Sequence, residues 1–316
     1  MGLAPRFACL QPTGTTSMEN RSTHSRSFSA GASGAERHSN GRRRAGLAFA
    51  VLASLTALLP IASTAVAETL KLGNEGVYPP FSMVDASGNL TGIEADLARE
   101  MCKRMGAECE ILVMDFKALI PSMLQGKFDI LVSQVTPTAE RKEKMLFSTR
   151  IVANPMVFLV PAEGEYTLTK EGLTGKGMTI GMQRGGAHIK VAEDIFGDAV
   201  KYSLYDNPDQ IHLDMIAGRI NMSFEAKLNA VVDFLGKPEG KAFKIVGEDY
   251  WIGEASVPEN ERGLSWVVRK GEEALLARMD TAIKSIMADC TYTSIRKKYM
   301  DIAILPEDAA CEAKVN

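Results

Sequence analysis

Phe128-Asp129-Ile130-Leu131-Val132-Ser133-Gln134-Val135 is the stretch that sets the fold class. Its apolar residues mostly follow one another instead of alternating, as a strand covered on both faces requires, and such strands belong to parallel sheets flanked by helices. Just upstream, Asp115 stands as the N-cap of a helix running through Leu124, and Gly126 stops it. Further back, Leu70 and Leu72 end a first strand before Gly73, Ile93, Leu97, Met101 and Met105 recur every four residues on one helix face, and Ile111 to Met114 reads as a second strand. This alternation is α/β grammar with a parallel core.

The same phrase returns later. Ser122-Met123-Leu124-Gln125-Gly126-Lys127-Phe128-Asp129 and Asp214-Met215-Ile216-Ala217-Gly218-Arg219-Ile220-Asn221 both read as helix end, glycine stop, basic residue and apolar strand. Thr69–Gly73 and Met178–Gly181 each open such a unit with a short strand. Any two α/β segments share some of these features, so the repeat is an expectation for the topology to test. Two similar lobes would set the C-terminal ends of their strands face to face, and open α/β sheets bind ligands there.

The chain of 316 residues is 46% apolar and 24% charged, a globular composition with ample length for a core. Its basic and acidic residues, 36 and 39, nearly balance, and no long basic run lies beyond residue 44, so a nucleic-acid partner is not expected. Residues 1–40 are rich in Ser, Gly, Thr and Asn and read as a disordered leader. Arg42-Arg43-Arg44, the apolar run Ala45–Ala62 and Ala65-Val66-Ala67 then form a secretory signal with cleavage expected after Ala67. A membrane anchor is the rival reading, but Pro60 and the small-residue exit suit a peptidase better. Loss of residues 1–67 removes seven arginines and two glutamates and takes the formal charge from −3 to −8. Four cysteines remain, Cys102, Cys109, Cys290 and Cys311, an even number for an oxidising compartment. Three pairings are possible, and the local ones, Cys102 with Cys109 and Cys290 with Cys311, demand the least folding. Their spacings are not those of zinc sites, and only His188 and His212 remain as nitrogen ligands, so neither a metal nor another cofactor is expected.

Gly73-Asn74-Glu75-Gly76-Val77-Tyr78-Pro79-Pro80-Phe81-Ser82, Gly92-Ile93-Glu94-Ala95-Asp96-Leu97-Ala98, Gly126-Lys127-Phe128-Asp129 and Thr136-Pro137-Thr138-Ala139-Glu140-Arg141 together resemble a known family. That family is the extracytoplasmic solute-binding proteins of polar amino acid ABC importers, and Val268-Arg269-Lys270-Gly271 and Tyr292–Tyr299 extend the resemblance to the C-terminus. The resemblance implies a two-lobed type II periplasmic binding protein fold with two interlobe crossings and a ligand cleft. Lobe 1 would comprise residues 68–154 and 260–316, and lobe 2 residues 155–259. It also implies a disulfide at Cys102 and Cys109, as in binders of basic amino acids.

Site residues follow by position. Arg141 matches the arginine that clamps a ligand carboxylate, a task suited to the planar two-pronged guanidinium. Thr136 matches a hydroxyl on the same carboxylate, and Gly185-Gly186 the lobe 2 backbone that donates amides to it. Tyr78 and Phe116 match the apolar walls, and Ser133, Gln134 and Gln183 polar pocket positions. Glu75 matches an acidic position facing cationic side chains, and His188 falls near the rim of the lobe 2 loop. Where binders of basic amino acids place an aspartate on the α-ammonium, this chain has Ala226. Its neighbour Glu225 would point to the opposite face unless the strand ends or bulges there.

The function implied is a non-enzymatic, monomeric periplasmic receptor that closes on an amino acid or derivative, cationic or opine-like, and is then recognised by a membrane permease. A secreted enzyme resembling cyclohexadienyl dehydratase, with Glu225 as general acid, is the alternative. A chemosensory input domain is a third reading, but no membrane span follows Ala67.

Overall fold

The computed structural model describes residues 68–315, so the leader, its signal and its cleavage site lie outside the described residues. The chain opens with β1 (Thr69–Asn74), then a small meander of β2 (Val77–Tyr78), β3 (Ser82–Val84) and β4 (Leu90–Thr91). The helix α1 (Ile93–Met105), β5 (Glu108–Val113), α2 (Phe116–Leu124), β6 (Ile130–Val135), α3 (Ala139–Lys144) and β7 (Met145–Phe147) follow. A second set comprises β8 (Met156–Pro161), α4 (Lys170–Leu173), β9 (Thr179–Gln183), α5 (His188–Phe196), β10 (Lys201–Tyr205), α6 (Pro208–Ile216), β11 (Met222–Ala226), α7 (Lys227–Asn229) and β12 (Phe243–Tyr250). The chain then returns through β13 (Ser265–Arg269), α8 (Glu273–Ala288), α9 (Thr291–Arg296) and α10 (Pro306–Cys311).

The strands form two five-stranded sheets, ordered β5-β1-β6-β13-β7 and β10-β9-β11-β8-β12. In each, the first strand of the unit runs parallel to the second and third, and the fourth place belongs to the antiparallel strand that has just arrived from the other sheet. The two sheets therefore share one topology, and this is the two-lobed type II fold. Between them, Ile151 donates to the Leu264 carbonyl at 2.9 Å and Leu264 to the Val152 carbonyl at 2.8 Å, so the two crossings run side by side as an antiparallel pair.

The repeated phrase in the sequence is a structural repeat. Gly126 and Gly218 follow α2 and α6 with φ of 75° and 66°, a left-handed turn that glycine enters without steric cost. Two residues later Phe128 and Ile220 fold over glycines of the neighbouring strand. A Cβ on Gly73 would lie 2.3 Å from the Phe128 ring, and one on Gly181 would lie 2.4 Å from Ile220. Asp129 and Asn221 then make matching pairs of bonds. Asp129 N–H donates to the Lys71 carbonyl at 2.8 Å and its Oδ2 accepts the Lys71 N–H at 3.0 Å. Asn221 N–H donates to the Thr179 carbonyl at 3.1 Å and its Oδ1 accepts the Thr179 N–H at 3.0 Å. These side-chain bonds replace ladder pairing, so β6 starts at Ile130 and not at Phe128. Asp115 occupies the N-cap position of α2 without making a capping bond; its carboxylate lies 3.6 Å from Lys117 instead.

Cys102 in the last turn of α1 is bonded to Cys109 in β5, and Cys290 at the start of α9 to Cys311 at the end of α10. No helix among the described residues is long and apolar enough to cross a membrane.

Candidate functional site

The C-terminal ends of both parallel strand sets meet across the seam. From the first lobe, Glu75 leaves β1, Tyr78 lies in β2, Phe116 opens α2, Gln134 lies at the end of β6 with Thr136 just beyond it and Arg141 stands in the first turn of α3. From the second, Met156 opens β8, Gln183 ends β9, Gly186, Ala187 and His188 lead into α5, and Ala226 ends β11. Together with Leu264 these residues line one narrow cavity of about 40 Å³, room for a water molecule or two. A ligand the size of an amino acid enters only when the lobes part.

Several bonds hold the lobes together. Arg141, whose backbone N–H reaches the capping hydroxyl of Thr138 at 3.3 Å, donates through its guanidinium to the Thr136 carbonyl at 3.2 Å and, across the seam, to the Gly185 carbonyl at 2.9 Å. Gln183 Nε2 donates to Glu75 Oε2 at 2.7 Å, Lys117 Nζ to Asp206 at 2.7 Å and Asn229 to the Pro79 carbonyl at 2.6 Å. Gly185 has φ of 86°, and a Cβ there would approach Lys117 Cα to 3.2 Å, so the glycine is what lets the lobes close this far.

Burial dominates the electrostatics. Glu75 is pushed up to about 7 by loss of solvent, partly offset by the Gln183 amide. His188 is pushed down to about 3 by burial and then by the charge of Arg141, so its imidazole is neutral. Burial likewise lowers Arg141, against the pull of Glu140. Tyr78 is raised by burial and by the charges of Glu75, Glu225 and Glu94. Glu94, fully buried behind β1, is held well above its ordinary value by burial and by Glu75. The neighbouring Trp266 and Asn74 offset part of this.

A pH effect follows from Glu75. Its native value of about 7 exceeds its ordinary 4.5, so the contribution to stability is full below pH 4.5 and is lost as the pH rises through about 7. The span corresponds to roughly 3 kcal/mol. His188 acts in the opposite sense, losing stability as the pH falls below 6.5 toward 3. Thermal melts of the wild type and Glu75→Gln isolate the first effect: the wild type should lose stability relative to the variant between these limits, and parallel profiles would refute the assignment.

Nine of the residues expected from sequence line the cavity: Glu75, Tyr78, Phe116, Gln134, Thr136, Arg141, Gln183, Gly186 and His188. Ser133 does not; its hydroxyl accepts the Glu75 backbone N–H at 3.2 Å and so fixes the turn that carries the carboxylate. His188 is not at the rim. It is 7% exposed and edge-on to Phe224 at 5.8 Å, and Nε2 has no partner among the described residues. Glu225 lies in an adjoining cavity with Tyr78, Gln183, His188 and Asn229. The β11–β8 register passes without a bulge through Glu225 and Ala226, so the two side chains take opposite faces. Glu225 is held by the Ser223 hydroxyl and by His212 Nε2 at 2.8 Å. Burial works against a charged His212, but Glu225, with Asp233 and Asp209, raises it above its ordinary value. Met156, Leu264, Ala187 and Asn229 were not foreseen. Asn229 has a signal only in three dimensions, where Asn154 bridges it at 3.1 Å to Gln134 at 3.2 Å.

The model for bacterial extracellular solute-binding proteins, family 3, matches residues 70–302. The chain belongs to that family. Among relatives of this family 3 protein, the ABC transporter arginine-binding protein 1 of Escherichia coli K12 is 32% identical over 252 residues, 79% of this chain and 97% of the relative. An ancestral arginine-binding protein solved with arginine superposes with a TM-score of 0.65 at 28% identity, covering 73% of this chain and 98% of the other. An ancestral amino acid-binding protein described as a precursor of cyclohexadienyl dehydratase does so with a TM-score of 0.63 at 26% identity, covering 73% and 95%.

Proposed function

We propose that this protein is the substrate-binding component of an ABC importer and carries an amino acid or amino-acid derivative. Export to the periplasm by a leader cleaved after Ala67, and presentation of the closed form to a membrane permease, complete the reading. Its lobes are residues 68–154 with 260–316, and residues 155–259.

One arrangement carries the proposal. The Arg141 guanidinium stands at the seam of the lobes between Thr136 and Gly185, where it would meet a ligand carboxylate with two parallel hydrogen bonds. Parting of the lobes breaks the bond to Gly185, and the ligand carboxylate then takes the place of both carbonyls, with the Thr136 hydroxyl and Gly186 N–H beside it. Tyr78 and Phe116 flank the ligand's body, and Gln134, Gln183, His188 and Glu75 present polar groups to its far end. Closure is then a population shift driven by contacts from both lobes.

The ligand's nitrogen is where this chain departs from binders of basic amino acids. Ala226 offers no carboxylate, and Glu225, on the opposite face of a regular strand, is engaged by His212. An unpaired primary ammonium in a closed cleft is costly. These features favour an N-substituted ligand, opine-like or betaine-like, over a plain amino acid. They also count against Glu225 as the general acid of a dehydratase, since both its oxygens are engaged, one by His212 and one by Ser223.

A thermal-shift screen of L-amino acids, opines and betaines tests the reading. A ligand at a thousand times its Kd stabilises by about 4 kcal/mol, roughly ten degrees for a chain of this size. The expected response is to an N-substituted compound. Silence with all three classes, or turnover of prephenate or arogenate to an aromatic product, would overturn it.

A further inference from the structure

On the side of β11 that Glu225 faces, opposite Ala226, three potential metal ligands converge. Asp209 and His212 lie one turn apart on α6, and Asp233 comes from the π-helical segment Ala230–Leu235. One donor atom from each falls within 4.8 Å of the others. They line a recess of about 320 Å³ together with Phe234, Lys237 and Glu239.

His212 distinguishes this group from ordinary surface acidity. It is 6% exposed, and its ring stacks on Phe234 with centroids 4.1 Å apart and planes 9° apart. Nε2 is taken by Glu225 at 2.8 Å, leaving Nδ1 as the ring nitrogen for the recess. Glu225 is anchored in turn by the Ser223 hydroxyl. A carboxylate on one imidazole nitrogen, fixing ring and tautomer so that the other nitrogen can ligate, is the usual outer shell of a metal-bound histidine.

We propose that Asp209, His212 and Asp233 form a site for a divalent transition metal of the zinc type, with Glu225 as the positioning carboxylate behind His212. One imidazole nitrogen and two carboxylate oxygens suit zinc and leave a fourth position for water. Donors around a tetrahedral ion stand about 3.4 Å apart, given bonds near 2.1 Å. Asp209 is exposed, so its side chain can turn toward that spacing. Lys237, whose Nζ lies 2.8 Å from Asp233 Oδ1, is the resident competitor, so the metal takes the other oxygen or displaces the ammonium. The sequence carries no metal motif here because the third ligand lies 21 residues beyond His212 and joins the pair only when the segment after β11 folds over α6. The proposal is independent of the cleft's ligand.

Chelator-stripped protein titrated with zinc chloride, by calorimetry and by competition with a chromogenic chelator, tests it. Wild type should bind one equivalent saturably. Asp209→Asn and Asp233→Asn should each weaken binding at least tenfold, and Glu225→Gln, without touching the ion, by about 10- to 100-fold. Lys237→Met should tighten binding. Asp209 is exposed, so its variant keeps the result interpretable should the buried substitutions disturb folding. No saturable binding, or an unchanged affinity in Asp209→Asn, would overturn the proposal.

Discussion

Arg141→Ala is expected to remove ligand binding while leaving the fold intact. Among the described residues the guanidinium donates to two carbonyls, Thr136 in its own lobe and Gly185 in the other, and in the variant both carbonyls can take water in its place. A ligand carboxylate has no such recourse. Shut into the cleft without its cation, it is an unpaired buried charge, a loss of roughly 3–5 kcal/mol. At about 1.4 kcal/mol per decade this amounts to two to three or more decades in Kd. Arg141→Lys should rescue little, since an ammonium cannot reproduce the two-pronged geometry. Calorimetry with the compound found by thermal shift checks both variants, and a loss below tenfold in Arg141→Ala would remove this residue from the site.

The largest expected stability effect lies far from the cleft. Arg296 and Asp308 are paired with no exposure of either side chain. Asp308 accepts from Arg296 Nε at 3.2 Å and Nη2 at 3.1 Å, and from the Ile304 N–H at 2.9 Å. Met300 and Glu312 take the remaining guanidinium bonds. Asp308→Ala leaves the guanidinium with the Glu312 carboxylate and the Met300 carbonyl and takes the acceptor from the Ile304 N–H, at a cost of roughly 3–5 kcal/mol, or about ten degrees in Tm. The double variant Arg296→Met with Asp308→Leu should recover part of this, because two apolar side chains need no partner while the Ile304 N–H still lacks its acceptor. A single variant melting within two degrees of wild type would show that the pair is dispensable, against roughly 2–4 degrees expected per kcal/mol.

What could be read from the chain alone was what local chemistry controls. Periodicity located α1, the left-handed turns at Gly126 and Gly218 ended α2 and α6, and the repeated phrase around them anticipated two sheets of one topology. Alternation along a strand placed Glu225 opposite Ala226, and the register keeps them so. The ordered motifs brought nine residues to one cavity because each stands at a strand end or helix start whose direction the fold class already sets.

Tertiary structure decided whatever depends on neighbours distant in sequence. His188 reads as a helix-start histidine near a rim, yet Phe224 and Arg141 close over it, and loss of water drives its ring neutral. Ser133 reads as a pocket hydroxyl, but the parallel register of β1 with β6 puts it under the Glu75 backbone. The Asp209–His212–Asp233 group and the Arg296–Asp308 pair are likewise invisible along the chain. The physical reason is common to all four. Propensity and period act over one or two turns, whereas burial and charge act through space, and it is burial that determines whether a polar side chain stays solvated, takes a partner or surrenders its charge.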